Sequence, residues 1–130
     1  MNIVKAIPTF AYLLALYNIL AFSSALDHAL FNLELISGAR VTVDVHHLMI
    51  FVGVLALYIE IFKSTLSSIM SIIDHALSLI VFIVFLIELL VVKAVGTSSF
   101  MILTFMSMFD VVGGFTVTIS ASRRDIAIGG

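Results

Sequence analysis

Two sets of residues in this chain have the types and spacing to do chemistry. The first is a lone carboxylate, Asp110, in the middle of the apolar stretch 98–121. An ionised Asp at the centre of a membrane-spanning helix costs ~2.5–3.5 kcal/mol on insertion scales, so such a residue faces protein or a wet cavity. Three roles are open to it: a hydrogen-bonded lock between helices, a proton- or ion-carrying group, or a polar contact with a neighbouring subunit. The second set is Asp27 and His28 after the first apolar run, Asp44, His46 and His47 at the start of the second, and Glu88 near the end of the third. Imidazoles with carboxylates can hold zinc, copper or iron, and a His pair can ligate a haem. On a helix, His46 and His47 point about 100° apart, so at most one of them shares a site with His28. The same residues serve equally well as helix caps and interface anchors.

Composition limits what can position these groups. Of 130 residues, 62% are hydrophobic and 11% charged, against about 25% charged in soluble domains. Such a chain has too little polar surface for water and reads as an integral membrane protein. A net charge of −2 and the absence of Lys/Arg blocks exclude a nucleic-acid footprint, which needs a basic patch to neutralise phosphates. No cysteine is present, which removes disulfides, thiolate metal sites and a cysteine nucleophile. Nor is there a phosphate-cradling glycine loop, a nucleophile elbow or a zinc-protease His pair, so no catalytic residue is expected and the chain does not read as an enzyme.

The apolar runs predict one all-α domain: an antiparallel, up-down four-helix bundle with spans at 8–26, 45–62, 69–92 and 98–121 and one longer outer loop. Each span approaches the ~20 residues that cross ~30 Å of hydrocarbon. Lys5, the run 10–22 and the small residues Ser23, Ser24 and Ala25 imitate a cleavable signal peptide; the reading adopted here is a retained helix with Pro8 in its first turn. Residues 26–36 are expected to prolong that helix or lie in the interface, with Gly38 ending them. Val41, Thr42 and Val43 read as extended, leading to Thr42 or Asp44 as N-cap of the second span. Residues 63–68 form a tight turn, with Glu60 and Lys63 as a solvated pair. After the third span Gly96 ends a helix and Thr97 or Ser98 caps the next. Lys5, Lys63, Arg123 and Arg124 outnumber Arg40 and Lys93, so the positive-inside rule places both termini in the cytoplasm, in a prokaryotic-type inner membrane.

Each span carries a small or polar seam. In the first it is Ala11, Ala15, Asn18, Ala21 and Ala25; in the second His46, Met49, Gly53, Ala56, Leu57 and Glu60; in the third Ser67, Ser71, Asp74, Ser78, Val81 and Glu88. In the last span Ser99, Leu103, Ser107, Gly113, Gly114, Val117, Thr118 and Ala121 share the side of Asp110, while Met101, Phe105, Met108, Val112, Phe115 and Ile119 line the other. Counted from the span ends, Asn18, Gly53 and Asp110 lie at one depth, which predicts an Asn18 to Asp110 hydrogen bond as an intramembrane lock. No second acid is expected near Asp110.

The run Leu57-Tyr58-Ile59-Glu60-Ile61-Phe62-Lys63, followed by a tight turn, two spans and the basic end Arg123-Arg124, resembles the phosphate-starvation-inducible E family of small four-span proteins. The basic residue expected in that family's third span is absent, and the resemblance implies no catalytic residues. The leading functional expectation is a non-catalytic accessory subunit that packs against other transmembrane subunits of a larger complex, of respiratory or oxidative metalloenzyme type. The alternatives are a small transporter or proton-conducting oligomer centred on Asp110, and a metal- or haem-carrying redox module using His28 and His46.

Overall fold

The computed structural model describes residues 6–66 and 69–129; expectations resting on Lys5, Ser67 and Ser68 lie outside them. The described residues form four α-helices and one two-stranded sheet, in the order α1 (Thr9–Phe22), β1 (Ala29–Glu34), β2 (Arg40–Asp44), α2 (Val45–Ser64), α3 (Ile69–Val91) and α4 (Ser98–Gly129), with a 3-10 turn at Lys93–Val95 before α4. Three helices are long and apolar enough to cross a membrane: Val45–Ser64, Ser71–Val91 and Ser98–Gly129.

Helix α1 is shorter than the apolar run implied. Its 14 residues rise about 21 Å, and Pro8, with an extended ψ of 142°, flanks the helix as N-cap rather than sitting in its first turn. Helix α4 is longer, 32 residues, because nothing after Ala121 stops a helix until the glycines at the end of the chain.

The segment after α1 corrects the expected helical extension: residues 29–44 form an antiparallel hairpin. Alternation over 31–35, with Phe31, Leu33 and Leu35 against Asn32 and Glu34, carries the period of a strand. Pairing Phe31 with Val43, Leu33 with Val41 and Glu34 with Arg40 gathers the apolar side chains on one face. Gly38 ends no helix; it closes the hairpin turn at φ +83°, the left-handed conformation glycine adopts without strain. Val41, Thr42 and Val43 are extended as their β-branching required, and Asp44 caps α2.

Packing follows two registers. Helices α2 and α4 run parallel, with His46 beside Ser99, Gly53 beside Leu103 and Met106, and Ser64 beside Thr118. Helix α3 runs antiparallel to α4, with Phe85 on Phe100 and His75 on Phe115. The buried face of α4 is the small-residue side read from its sequence, and that of α2 includes Met49, Gly53, Ala56 and Glu60. Helix α1 departs from expectation: Phe10, Leu13 and Tyr17 are buried while Ala15 is exposed. Rings decide this, since Phe10 meets Phe85 and Tyr17 meets Phe100, burying more apolar area than an alanine stripe could.

Candidate functional site

The buried polar groups fall into two sets separated by apolar side chains. The set near the α2–α3 turn begins with Glu60, 1% exposed. Its Oε1 accepts the Thr9 backbone N–H at 2.8 Å and the Thr9 hydroxyl at 2.5 Å. It thereby satisfies donors that the first turn of α1 leaves without intrahelical partners. Lys63 Nζ donates to Glu60 Oε1 at 3.1 Å and to Asp74 Oδ1 at 3.1 Å. Glu60 and Lys63 are therefore no solvated pair; they form a largely buried bridge from α2 to α3.

Adjacent to Asp74 on α3, the His75 ring nitrogen Nε2 meets the Thr118 hydroxyl at 2.7 Å, and that hydroxyl donates to the Ser64 carbonyl at 3.1 Å. With its proton committed there, Thr118 accepts from His75, which assigns the Nε2–H tautomer. His75 Nδ1 is then a bare acceptor, buried and without a hydrogen-bond partner. It faces Gly114, where an added Cβ would lie 2.9 Å from it.

Asp110 follows on α4, 1% exposed. Its Oδ2 has no partner, and neither do the buried hydroxyls of Ser78 and Ser107. Ser78 stands beside the carboxylate without closing a hydrogen bond to Oδ2. Glu60, Asp74 and Lys63 are the charges near enough to act on Asp110. The expectation of an isolated carboxylate is thus corrected. Depth counted from span ends ignored the register: with His46 level with Ser99, Asp110 sits level with residue 57, one turn from Glu60. Asn18 does not meet it; the Asn18 amide donates to Glu88 Oε2 and to the Leu14 carbonyl, both at 2.8 Å.

The opposite set surrounds His46. Nδ1 lies 2.6 Å from the Ser99 hydroxyl and Nε2 3.2 Å from Asp27 Oδ1. Tyr17 reaches Ser99 at 2.6 Å and also bonds Thr97, whose hydroxyl accepts the Phe100 N–H as N-cap of α4. An open groove of about 550 Å³ runs alongside, lined by His46, His47, Thr97, Ser98 and Ser99 among others. Asp27, His46 and Ser99 have the order of a nucleophile-activating triad. Ser99 is however 4% exposed, and its oxygen is hydrogen-bonded to Tyr17 and Thr97 as well as to His46.

The residues proposed for a metal or haem are distributed, not gathered. His47 turns away from His46 to pair with Asp44 Oδ1 at 2.7 Å, while Asp44 also accepts the His47 backbone N–H at 3.0 Å. That backbone bond, with help from the His47 ring and against slight desolvation, holds the Asp44 carboxyl below the usual carboxylate range. Glu88 belongs to Asn18, and the His28 side chain is exposed. Among the described residues no three His, Asp or Glu side chains converge on one point. No known protein family matches this chain, and neither a curated protein nor a solved structure does. The site itself therefore carries the functional argument, and the resemblance of residues 57–63 adds nothing to it.

Sequence reasoning missed Thr9, Tyr17, Thr97 and Ser99 as partners of the ionisable groups. Hydroxyl residues at helix starts carry one available signal, capping, and which carboxylate or imidazole they meet depends on the neighbouring helix.

Proposed function

We propose that this chain is a multi-pass membrane protein, a small four-helix bundle, whose interior carries protons on Asp110. The observation behind this reading is a carboxylate 1% exposed, with an unpartnered oxygen, close to two further buried acids and, among the described residues, one ammonium group. Glu60, Asp74 and Asp110 ionised together would set three negative charges against the one positive charge of Lys63. In a medium without water, excess charge of this kind is neutralised at least cost by a proton. Intramembrane acids of this sort mark proton and ion pathways. The orientation proposed has both termini on the cytoplasmic side of a prokaryotic-type inner membrane, with the hairpin outside.

Proteoliposomes holding a pH-sensitive dye, driven by a potassium diffusion potential, test it. The wild-type chain is expected to carry protons and Asp110→Asn to abolish the flux; equal flux in both would remove the role assigned to Asp110.

A second reading, a non-catalytic subunit of a larger membrane complex, draws on the apolar groove of about 410 Å³ between α1 and α2, lined by Tyr12, Leu13, Leu16, Val52, Leu55 and Ile59 among others. A helix of another subunit would fill it. Purification from native membranes in mild detergent would then bring larger subunits along, and a chain that always purifies alone would rule this out.

A further inference from the structure

Among the described residues, the buried side-chain atoms without a hydrogen-bond partner are Asp110 Oδ2, the Ser78 and Ser107 hydroxyl oxygens and His75 Nδ1. None of these residues is more than 2% exposed, and all belong to one stretch of the α3–α4 interface. On α4, Ser107 and Asp110 stand three residues apart on the buried face, which makes their side chains neighbours. On α3, His75 and Ser78 have the same spacing. The two helices are antiparallel, with Phe85 on Phe100 and His75 on Phe115. Counting along α3 from either contact puts Ser78 level with the turn from Ser107 to Asp110, and Ser78 does stand beside the Asp110 carboxylate. His75 Nδ1 lies one turn away, over Gly114.

Buried polar atoms are hydrogen-bonded in the large majority, and an exception needs a cause. Here the exceptions cluster, so one guest accounts for all of them. We infer that Asp110 Oδ2 and the Ser78 and Ser107 hydroxyl oxygens form a binding site for a small monovalent cation of the sodium class, with His75 Nδ1 accepting from a water that the ion retains.

The donor chemistry selects the ion. A carboxylate with two hydroxyl oxygens is a hard, all-oxygen set, unsuited to zinc or copper. Calcium takes several carboxylates or many oxygens, and among the described residues no three His, Asp or Glu side chains converge. One carboxylate matches one positive charge. Each serine can give the ion a lone pair while turning its proton to the carbonyl one turn back. Water alone would satisfy the same atoms but leave the Asp110 charge facing Glu60 and Asp74, which already share Lys63. A cation removes both costs.

The inference rests on the reading of Asp110 as the ionising group of the interior, and the two are separated by their readouts, binding for one and flux for the other. The purified chain in detergent is moved from choline chloride to sodium chloride at fixed pH and ionic strength. Sodium is expected to raise the wild-type Tm by about 3 °C or more and to give saturable heat in titration calorimetry. Asp110→Asn should abolish both signals, and Ser78→Ala or Ser107→Ala should each weaken sodium binding about tenfold. Identical wild-type behaviour in sodium and choline overturns the site, and needs no variant to fold. A sodium effect that survives in Asp110→Asn places the ion elsewhere and overturns it equally. Proton flux without sodium binding leaves the carrying reading standing and removes the cation site; sodium binding without proton flux does the reverse.

Discussion

At the scale of single residues, the Lys63 ammonium is, among the described residues, the one cation that pairs with the two buried carboxylates Glu60 and Asp74. Lys63→Met leaves Glu60 and Asp74 buried without a counter-ion and is expected to destabilise the fold by about 3 kcal/mol or more. Adding Glu60→Gln should recover part of that loss, since an amide oxygen still accepts from Thr9; thermal unfolding in detergent reads both. The adjacent glycines of α4 make a sharper contrast. A Cβ at Gly114 would sit 2.8 Å from the His75 ring, which packing and the Thr118 hydrogen bond hold in place, whereas a Cβ at Gly113 meets nothing within 4 Å. Gly114→Ala is expected to cost about 1–3 kcal/mol by overpacking. Gly113→Ala should stabilise by roughly 0.5–1 kcal/mol through restored helix propensity. Equal effects at the two sites would contradict the α3–α4 register.

At the scale of elements, the helix starts explain why buried acids are where they are. Helix α1 is too short to span ~30 Å alone, and its first donors are met by Glu60 from α2 instead of by water. Helix α2 is started by Asp44, whose cap with His47 gives a pH dependence of definite sign. A carboxyl held below its ordinary value stabilises the folded state above the unfolded pKa of ~3.9, and the contribution is lost as pH falls through the folded value. Hydrogen exchange at the His47 amide should therefore lose protection as pH is lowered below about 4. Asp44→Asn, which keeps an acceptor but no titrating charge, should flatten that dependence; an unchanged profile would show that the cap is not the titrating group. The hairpin teaches a related lesson. Alternation in residues 31–35 and a glycine before Val41-Thr42-Val43 are strand and turn signals, masked in this sequence by the hydrophobicity of the segment on both sides.

For the whole molecule, the absence of cysteine makes the proposed orientation directly testable. Ser37, at the hairpin turn, and Ala127, near the end of α4, are both exposed. In sealed, oriented vesicles a membrane-impermeant maleimide is expected to reach Ser37→Cys and Ala127→Cys from opposite sides. Labelling of both from one side would overturn the orientation.

The sequence alone determined that the chain is mostly helical and which faces of α2 and α4 are packed, but it counted four spans where three of the described helices, α1 excepted, have the length and apolarity to cross a membrane. These are local properties: run length, helical period and small-residue spacing, all carried within one element. It narrowed the cap of α2 to Thr42 or Asp44, both within a few positions of the helix, and the structure selects Asp44. What only the tertiary structure decided is who meets whom. Depth counted from span ends paired Asp110 with Asn18; the parallel register of α2 and α4 instead brought it toward Glu60, Asp74 and Lys63 and gave Asn18 to Glu88. A buried charge can be recognised in one helix, but the partner that satisfies it is set by the sliding of that helix against its neighbours, and no single helix encodes that offset.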